Sequence, residues 1–268
     1  MTQLVEPRAK TSAESAGTDL GKLKVKIFAD GADRAGMLQM YSKPYIKGFT
    51  TNPTLMRKAG VRNYRAFALD VLSAIPDRPI SFEVFADDRA GMEQQARQIA
   101  SWGANVYVKI PVVDINGHSL DGLIHLLAHS GVKVNVTAVL TLAQVRLIGS
   151  AVAGGEACLV SIFAGRIADT GRDPLPIMAS AVELLRPSPN AELLWASPRE
   201  VLNIFHANSV GCHVITVTHD LLQKLDLLGK DLSAYSLETV RMFHHDAAAA
   251  GYRLNDVAPL RSGPRGAL

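Results

Sequence analysis

Asn105-Val-Tyr-Val-Lys-Ile-Pro111 is a strand-like run with one charge in it, Lys109. Val106, Tyr107, Val108 and Ile110 are β-branched or aromatic and suit a pleated, half-buried surface, and Pro111 stops the ladder because it has no N–H. A lysine inside such a run points toward a core, where lost hydration disfavours its charged form. A lysine kept partly neutral can attack a carbonyl and form a Schiff base. Taken alone, the stretch favours the blander reading, since buried lysines are rare and a strand-end lysine usually snorkels to solvent. The distribution of the other polar residues has to decide.

Reading outward from that strand, further strand-like runs occur at Leu23–Ala29, Tyr45–Phe49, Ile80–Phe85, Val132–Thr137, Cys158–Phe163, Glu192–Ala196 and His213–Val217. Helical spacing follows each of them: Arg34–Tyr41, Tyr64–Ile75, a helix capped by Asp87 and running to Trp102, Leu120–His129, Leu142–Ala153, a helix opened by Pro174 and ending at Leu185, Glu200–Asn208, and Leu221–Leu227. With the lysine strand as fourth, eight strand-then-helix units predict an α/β fold, the (β/α)8 TIM barrel. An open doubly wound sheet is the alternative, but no Gly-x-Gly-x-x-Gly follows the first strand. Leu237–Ala249 is an extra amphipathic C-terminal helix outside the repeat. The expected organisation is a disordered extension over 1–21, the barrel with its C-terminal helix over 22–256, and a mobile tail over 257–268.

Composition narrows the functional classes. The chain has 268 residues, 48% hydrophobic and 20% charged, which suits a globular protein with a sizeable core. A net charge of +3, partly from the tail Arg261–Arg265, gives nucleic-acid binding little support. No apolar run approaches the roughly 18 residues of a membrane span, and the N-terminus lacks the apolar core of a secretory signal. Cys158 and Cys212 read as buried reduced thiols of a cytoplasmic protein. His125 and His129 share a helix face, yet no third ligand accompanies them, and His244-His245 diverge around a helix. No metal site or cofactor is expected.

Active sites of these barrels lie at the C-terminal ends of the strands. There the sequence puts Asp30, Thr51 and Asn52, Glu83, Lys109, Asn135 and Thr137, Ser161, Arg166 and Ser197. A merely solvated rim explains polar residues, but not acids and a lysine inside apolar runs. An Asp, a Glu, a Lys and a Thr converging on one interior suit imine chemistry, with the lysine as nucleophile and carboxylates moving protons. That convergence turns the reading of Lys109 toward function.

Asp30, Gly48-Phe-Thr-Thr-Asn-Pro53, Val106-Tyr-Val-Lys-Ile-Pro111, Asn135-Val-Thr137, Ser161-Ile-Phe-Ala-Gly-Arg166 and Ala196-Ser197 resemble the transaldolase family, including its short fructose-6-phosphate aldolase branch. The resemblance runs in order from about Lys24 to Gln223. It implies a metal-free class I enzyme of the pentose phosphate pathway that transfers a dihydroxyacetone unit between sugar phosphates. Lys109 would form the Schiff base, and Asp30 would take the proton from the C4 hydroxyl. Glu83 and Thr137 would hold a proton-shuttling water. Thr51, Asn52, Asn135, Ser161 and Phe163 would line the dihydroxyacetone site, and Arg166 and Ser197, with Arg199, would grip phosphate. The loop Ala196-Ser-Pro-Arg-Glu200 is tighter than its counterpart in the family. By the same resemblance, aldolase-type members carry tyrosine in place of Phe163 and glutamine in place of Glu83. Short members assemble as homo-oligomers through a C-terminal helix. Two alternatives stand beside transfer: an aldolase releasing free dihydroxyacetone, and a catalytically silent barrel that binds a sugar phosphate or a partner protein.

Overall fold

The apolar runs form eight parallel strands: β1 (Lys26–Asp30), β2 (Ile46–Thr50), β3 (Ile80–Glu83), β4 (Val106–Pro111), β5 (Val134–Val139), β6 (Cys158–Ile162), β7 (Ala191–Trp195) and β8 (Val214–Thr218). The structure is a computed structural model and describes residues 20–254. Each strand pairs with the next and β8 pairs back to β1, so the sheet closes into the expected barrel. The extension and the tail anticipated at the termini lie outside the described residues, apart from Leu20 and Gly21 in a single 3-10 turn.

The connections are α1 (Arg34–Tyr41), α2 (Pro53–Lys58), α3 (Tyr64–Ala74), α4 (Arg89–Ala100), α5 (Asp121–Ala128), α6 (Leu142–Val152), α7 (Ala164–Asp169), α8 (Leu175–Leu185), α9 (Leu202–Ser209) and α10 (His219–Gln223). They cover the outward side of strands whose alternation is plain in β4. Val106, Val108 and Ile110 are buried, while Tyr107, Lys109 and Pro111 are part-buried on the other face. Register aligns the functional positions, because Glu83 lies opposite Lys109 and Lys109 opposite Asn135. Phe28, Leu159, Leu194, Ala196 and Val214 pack together, with Tyr107 and Phe163 against them.

Several element boundaries differ from expectation. Asp88, not Asp87, caps α4, accepting from Gly91 N at 2.9 Å, and the helix ends at Ala100, two residues short of Trp102. The third strand stops at Glu83, where Phe85 N and Ala86 N turn to the side chain of Gln95. Two short helices were not anticipated. Pro53 at a first turn starts α2 with Asn52 as its cap, and α7 occupies what reads as a loop after the sixth strand. The barrel unit runs to Asp226. The chain from Leu227 belongs to a second unit, in which Asp231 caps α11 (Leu232–Ala249) five residues before the expected start.

One glycine is fixed by close approach. A Cβ on Gly165 would stand 1.5 Å from the carbonyl oxygen of Ser197, itself a non-glycine residue at φ 59°. Neither backbone can yield without moving β7's exit or α7. Gly165→Ala should therefore cost about 3 kcal/mol or more, lowering the thermal midpoint by roughly 6 °C or more. Gly60→Ala, at φ 72° with open space around it, should cost only about 1 kcal/mol. Calorimetry on the two variants checks the contrast.

Candidate active site

The sequence brings a lysine into the barrel, and the fold must replace the water it loses. Lys109 is 12% exposed, and its Nζ donates to Glu83 Oε1 at 3.0 Å and to the carbonyl oxygen of Thr51. Glu83 is buried, with one side toward a cavity. Its Oε2 accepts from Thr51 Oγ1 at 3.1 Å, and the hydroxyl of Tyr64 stands 3.4 Å away. Burial pushes the Glu83 carboxyl above its ordinary range, and the Lys109 ammonium only partly opposes this.

Asp30 closes the group from β1. Thr50 Oγ1 donates to its Oδ1 at 2.8 Å and Asn52 Nδ2 to its Oδ2 at 3.2 Å. The Asp30 carboxyl is also raised by burial, against the pull of the Lys109 charge and of those two hydrogen bonds. Thr50 Oγ1 and Thr216 Oγ1 share a further hydrogen bond. His219 presses its ring against Gly31 and Gly36, its Nε2 has no hydrogen-bond partner among the described residues, and burial lowers its basicity.

A cavity of about 630 Å³ opens over this layer, of a size suited to a small phosphorylated metabolite. Asp30, Asn52, Glu83, Lys109, Thr137, Ser161, Phe163, Arg166, Ser197 and Arg199 all line it. Thr51 and Asn135 do not line it. Thr51 Oγ1 is tied to Ser81 O and Glu83, and fully buried Asn135 bridges Ser81 Oγ at 3.0 Å and Ser161 Oγ at 2.6 Å. These two residues brace the side chains around them. Thr137 Oγ1 reaches only Ile110 O, at 3.5 Å. Asn52 holds Asp30 while its Oδ1 accepts from Leu55 N at 2.9 Å, so one side chain both caps α2 and positions an acid. Arg166 stands 5.8 Å over the Phe163 ring, and Arg199 is bound through two nitrogens to Asp169, held in place by a carboxylate from α7.

Sequence reasoning missed Tyr64, Thr216, His219 and Lys224, the last a fourth cationic side chain lining the cavity beside Lys109, Arg166 and Arg199. Thr216 lies in the eighth strand, where the rim rule could have found it, whereas Lys224 follows α10 and carries no such signal. Tyr64 gave no signal, because its spacing reads as one more core position of an outer helix. His125 and His129 stack at 4.1 Å and donate to backbone carbonyls at the end of α6. Cys158 and Cys212 are buried, and burial raises both thiols to about 12, outside the reactive range.

The profile of the family described as Transaldolase/Fructose-6-phosphate aldolase matches residues 27–260. A protein of Dehalococcoides mccartyi named "Probable transaldolase" is 32% identical over 204 residues, spanning 75% of this chain and 90% of the relative. Another of that name, from Caldicellulosiruptor saccharolyticus, is 33% identical over 205 residues, spanning 75% and 89%. Among solved structures, 3-hexulose-6-phosphate synthase superposes with a TM-score of 0.51 at 17% identity, over 73% of this chain and 90% of that one. A mandelate oxidase mutant does so at 0.52 and 15%, over 80% and 78%. At such identities these two likenesses concern the barrel alone.

Raised carboxyls make stability depend on pH with a definite sign. With folded pKa values above the unfolded ones, Asp30 and Glu83 keep their protons to higher pH in the folded chain than in the unfolded one, so their contribution is full below the unfolded pKa and falls as pH rises through the folded pKa. Asp30→Asn removes one of these groups. Its thermal midpoint, compared with wild type, should be more favourable at pH 7.5 than at pH 4.5. An identical difference at both values would contradict the raised carboxyl.

Proposed function

The chain belongs to the transaldolase/fructose-6-phosphate aldolase family, and from that premise we propose that it is a class I transaldolase acting through Lys109. The observation that carries the reading is the Lys109–Glu83 contact at 3.0 Å on the wall of the cavity, with Asp30 on the same wall. Lys109 Nζ gives up a proton toward Glu83, whose raised carboxyl is the better acceptor for it, and attacks the C2 carbonyl of a ketose phosphate. Loss of water from the carbinolamine gives an iminium. Asp30 then takes the proton of the C4 hydroxyl while the C3–C4 bond breaks and its electron pair enters the iminium, forming an enamine. The aldose phosphate leaves, an acceptor aldehyde takes its place, and the reverse steps make the new bond and return the proton. Water finally cleaves the iminium and frees Lys109. Thr137 and Glu83 hold that water, and Ser161 and Asn52 hydrogen-bond the dihydroxyacetone hydroxyls.

Arg166, Ser197 and Arg199 grip the phosphate. Guanidinium suits that dianion, and Arg199 is already oriented by Asp169. Phe163 favours transfer over release, because it lines the cavity without a hydroxyl and offers the hydrolytic water no hydrogen bond. The enamine therefore persists until an acceptor arrives. On α11, Leu237, Val240 and Phe243 are exposed at helical spacing, which supports assembly of like chains through that helix.

With fructose 6-phosphate as donor, erythrose 4-phosphate should receive the three-carbon unit, and little free dihydroxyacetone should form without it. Free dihydroxyacetone appearing equally fast with and without acceptor would make the protein an aldolase. Phe163→Tyr should shift the ratio several-fold toward release, as one ordered hydroxyl is worth about 1 kcal/mol. Asp30→Ala should bind donor covalently yet release no aldose phosphate. Loss of both steps would break the division of labour between Asp30 and Lys109.

A further inference from the structure

A parallel ladder between β2 and β3 is regular up to Thr51 N, which donates to Ser81 O at 3.2 Å. Its next rung would run from Glu83 N to the carbonyl oxygen of Thr51, and the one after from residue 53 N to Glu83 O. Neither forms here. The Thr51 carbonyl accepts from Lys109 Nζ instead, and residue 53 is proline, with no N–H to give. Glu83 would be left with an unpaired donor and an unpaired acceptor beside a buried charge, at substantial cost.

Tyr64 supplies both missing partners. From α3 its hydroxyl accepts from Glu83 N at 2.7 Å and donates to Glu83 O at 3.0 Å. The ring is locked edge-on against Phe82, Phe85 and Trp102, with centroids 6.2, 4.6 and 5.8 Å away. Burial raises the phenol beyond its usual range, chiefly by desolvation, so the hydroxyl keeps its proton. One neutral hydroxyl thus replaces two backbone groups of the neighbouring strand.

We infer that Tyr64 is a positioning residue that releases the Thr51 carbonyl from the sheet so that this carbonyl can hold Lys109, while fixing the backbone that aims Glu83 at the same nitrogen. The inference deepens the lysine reading proposed above and rests on it. Without the hydroxyl, the Glu83 N–H has one natural acceptor, the Thr51 carbonyl. Swinging that carbonyl into the ladder takes it away from Lys109. The phosphate grip lies elsewhere in the cavity and is untouched.

Tyr64→Phe keeps the ring contacts and deletes only the hydroxyl. The test measures single-turnover formation of the borohydride-reducible adduct with fructose 6-phosphate, alongside steady-state kcat and KM. A control, Gln95→Leu, removes a different cap from the same strand end, the one on Phe85 N and Ala86 N. Expected are an adduct rate and kcat about tenfold lower in Tyr64→Phe, a KM within twofold of wild type, and near-normal rates in Gln95→Leu even if both variants melt early. A crystal structure of Tyr64→Phe should have the Thr51 carbonyl turned to Glu83 N. Wild-type rates in Tyr64→Phe, or an equal loss in Gln95→Leu, would overturn the positioning role while leaving Lys109 as nucleophile. If Tyr64→Phe does not fold, Tyr64→Trp decides instead, and wild-type rates there would equally overturn it. Absence of any reducible adduct in the wild type would overturn the lysine reading itself, and the inference with it.

Discussion

An ammonium group persists inside a closed parallel barrel only where other polar groups replace the water it has lost, and the arrangement around Lys109 meets that demand. Glu83 supplies the counter-charge at 3.0 Å, the Thr51 carbonyl a second acceptor, and Asp30 a further negative field. Burial of these charges is costly, and neighbouring hydroxyls and an amide offset the cost. Thr50 and Asn52 satisfy Asp30, and Thr51 and Tyr64 satisfy Glu83. Both carboxyls nonetheless remain raised. Two carboxyls raised by burial beside one lysine are the feature on which the proposed proton transfers rest.

Barrels of this architecture host unrelated chemistries, so the closed sheet by itself carries no functional weight. What distinguishes this one is the content of a single layer. Register sets Glu83, Lys109 and Asn135 side by side on consecutive strands, and pairing of β1 with β2 sets Asp30 beside Thr50. Phe28, Leu159, Leu194 and Val214 pack together in the same barrel, and Leu194 joins the polar layer in lining the cavity.

The barrel was legible because each strand announces itself as a short apolar run and each helix by its spacing. Those signals are local, and so is the anomaly of a lysine in a strand. Residues at strand ends, such as Asp30, Glu83 and Arg166, were also readable, since the rim rule converts sequence position into location. Depth was not legible. Thr51 and Asn135 share the motifs of their neighbours but point into the wall, where they brace other side chains. Short helices escaped for a related reason. The six residues of α2 and the six of α7 are too few for a periodicity, and they form because Asn52 caps one and a close approach to Ser197 fixes the other. Tyr64 was invisible because its role exists only where β2 departs from β3, which is a property of the assembled sheet.

The central claim is that one buried lysine, and no other amine lining the cavity, carries the covalent chemistry. Reduction with borohydride in the presence of fructose 6-phosphate, followed by peptide mapping by mass spectrometry, addresses it directly. The account predicts one added dihydroxyacetone-derived group, located on Lys109. An unmodified Lys109, or a label on Lys224, would contradict it.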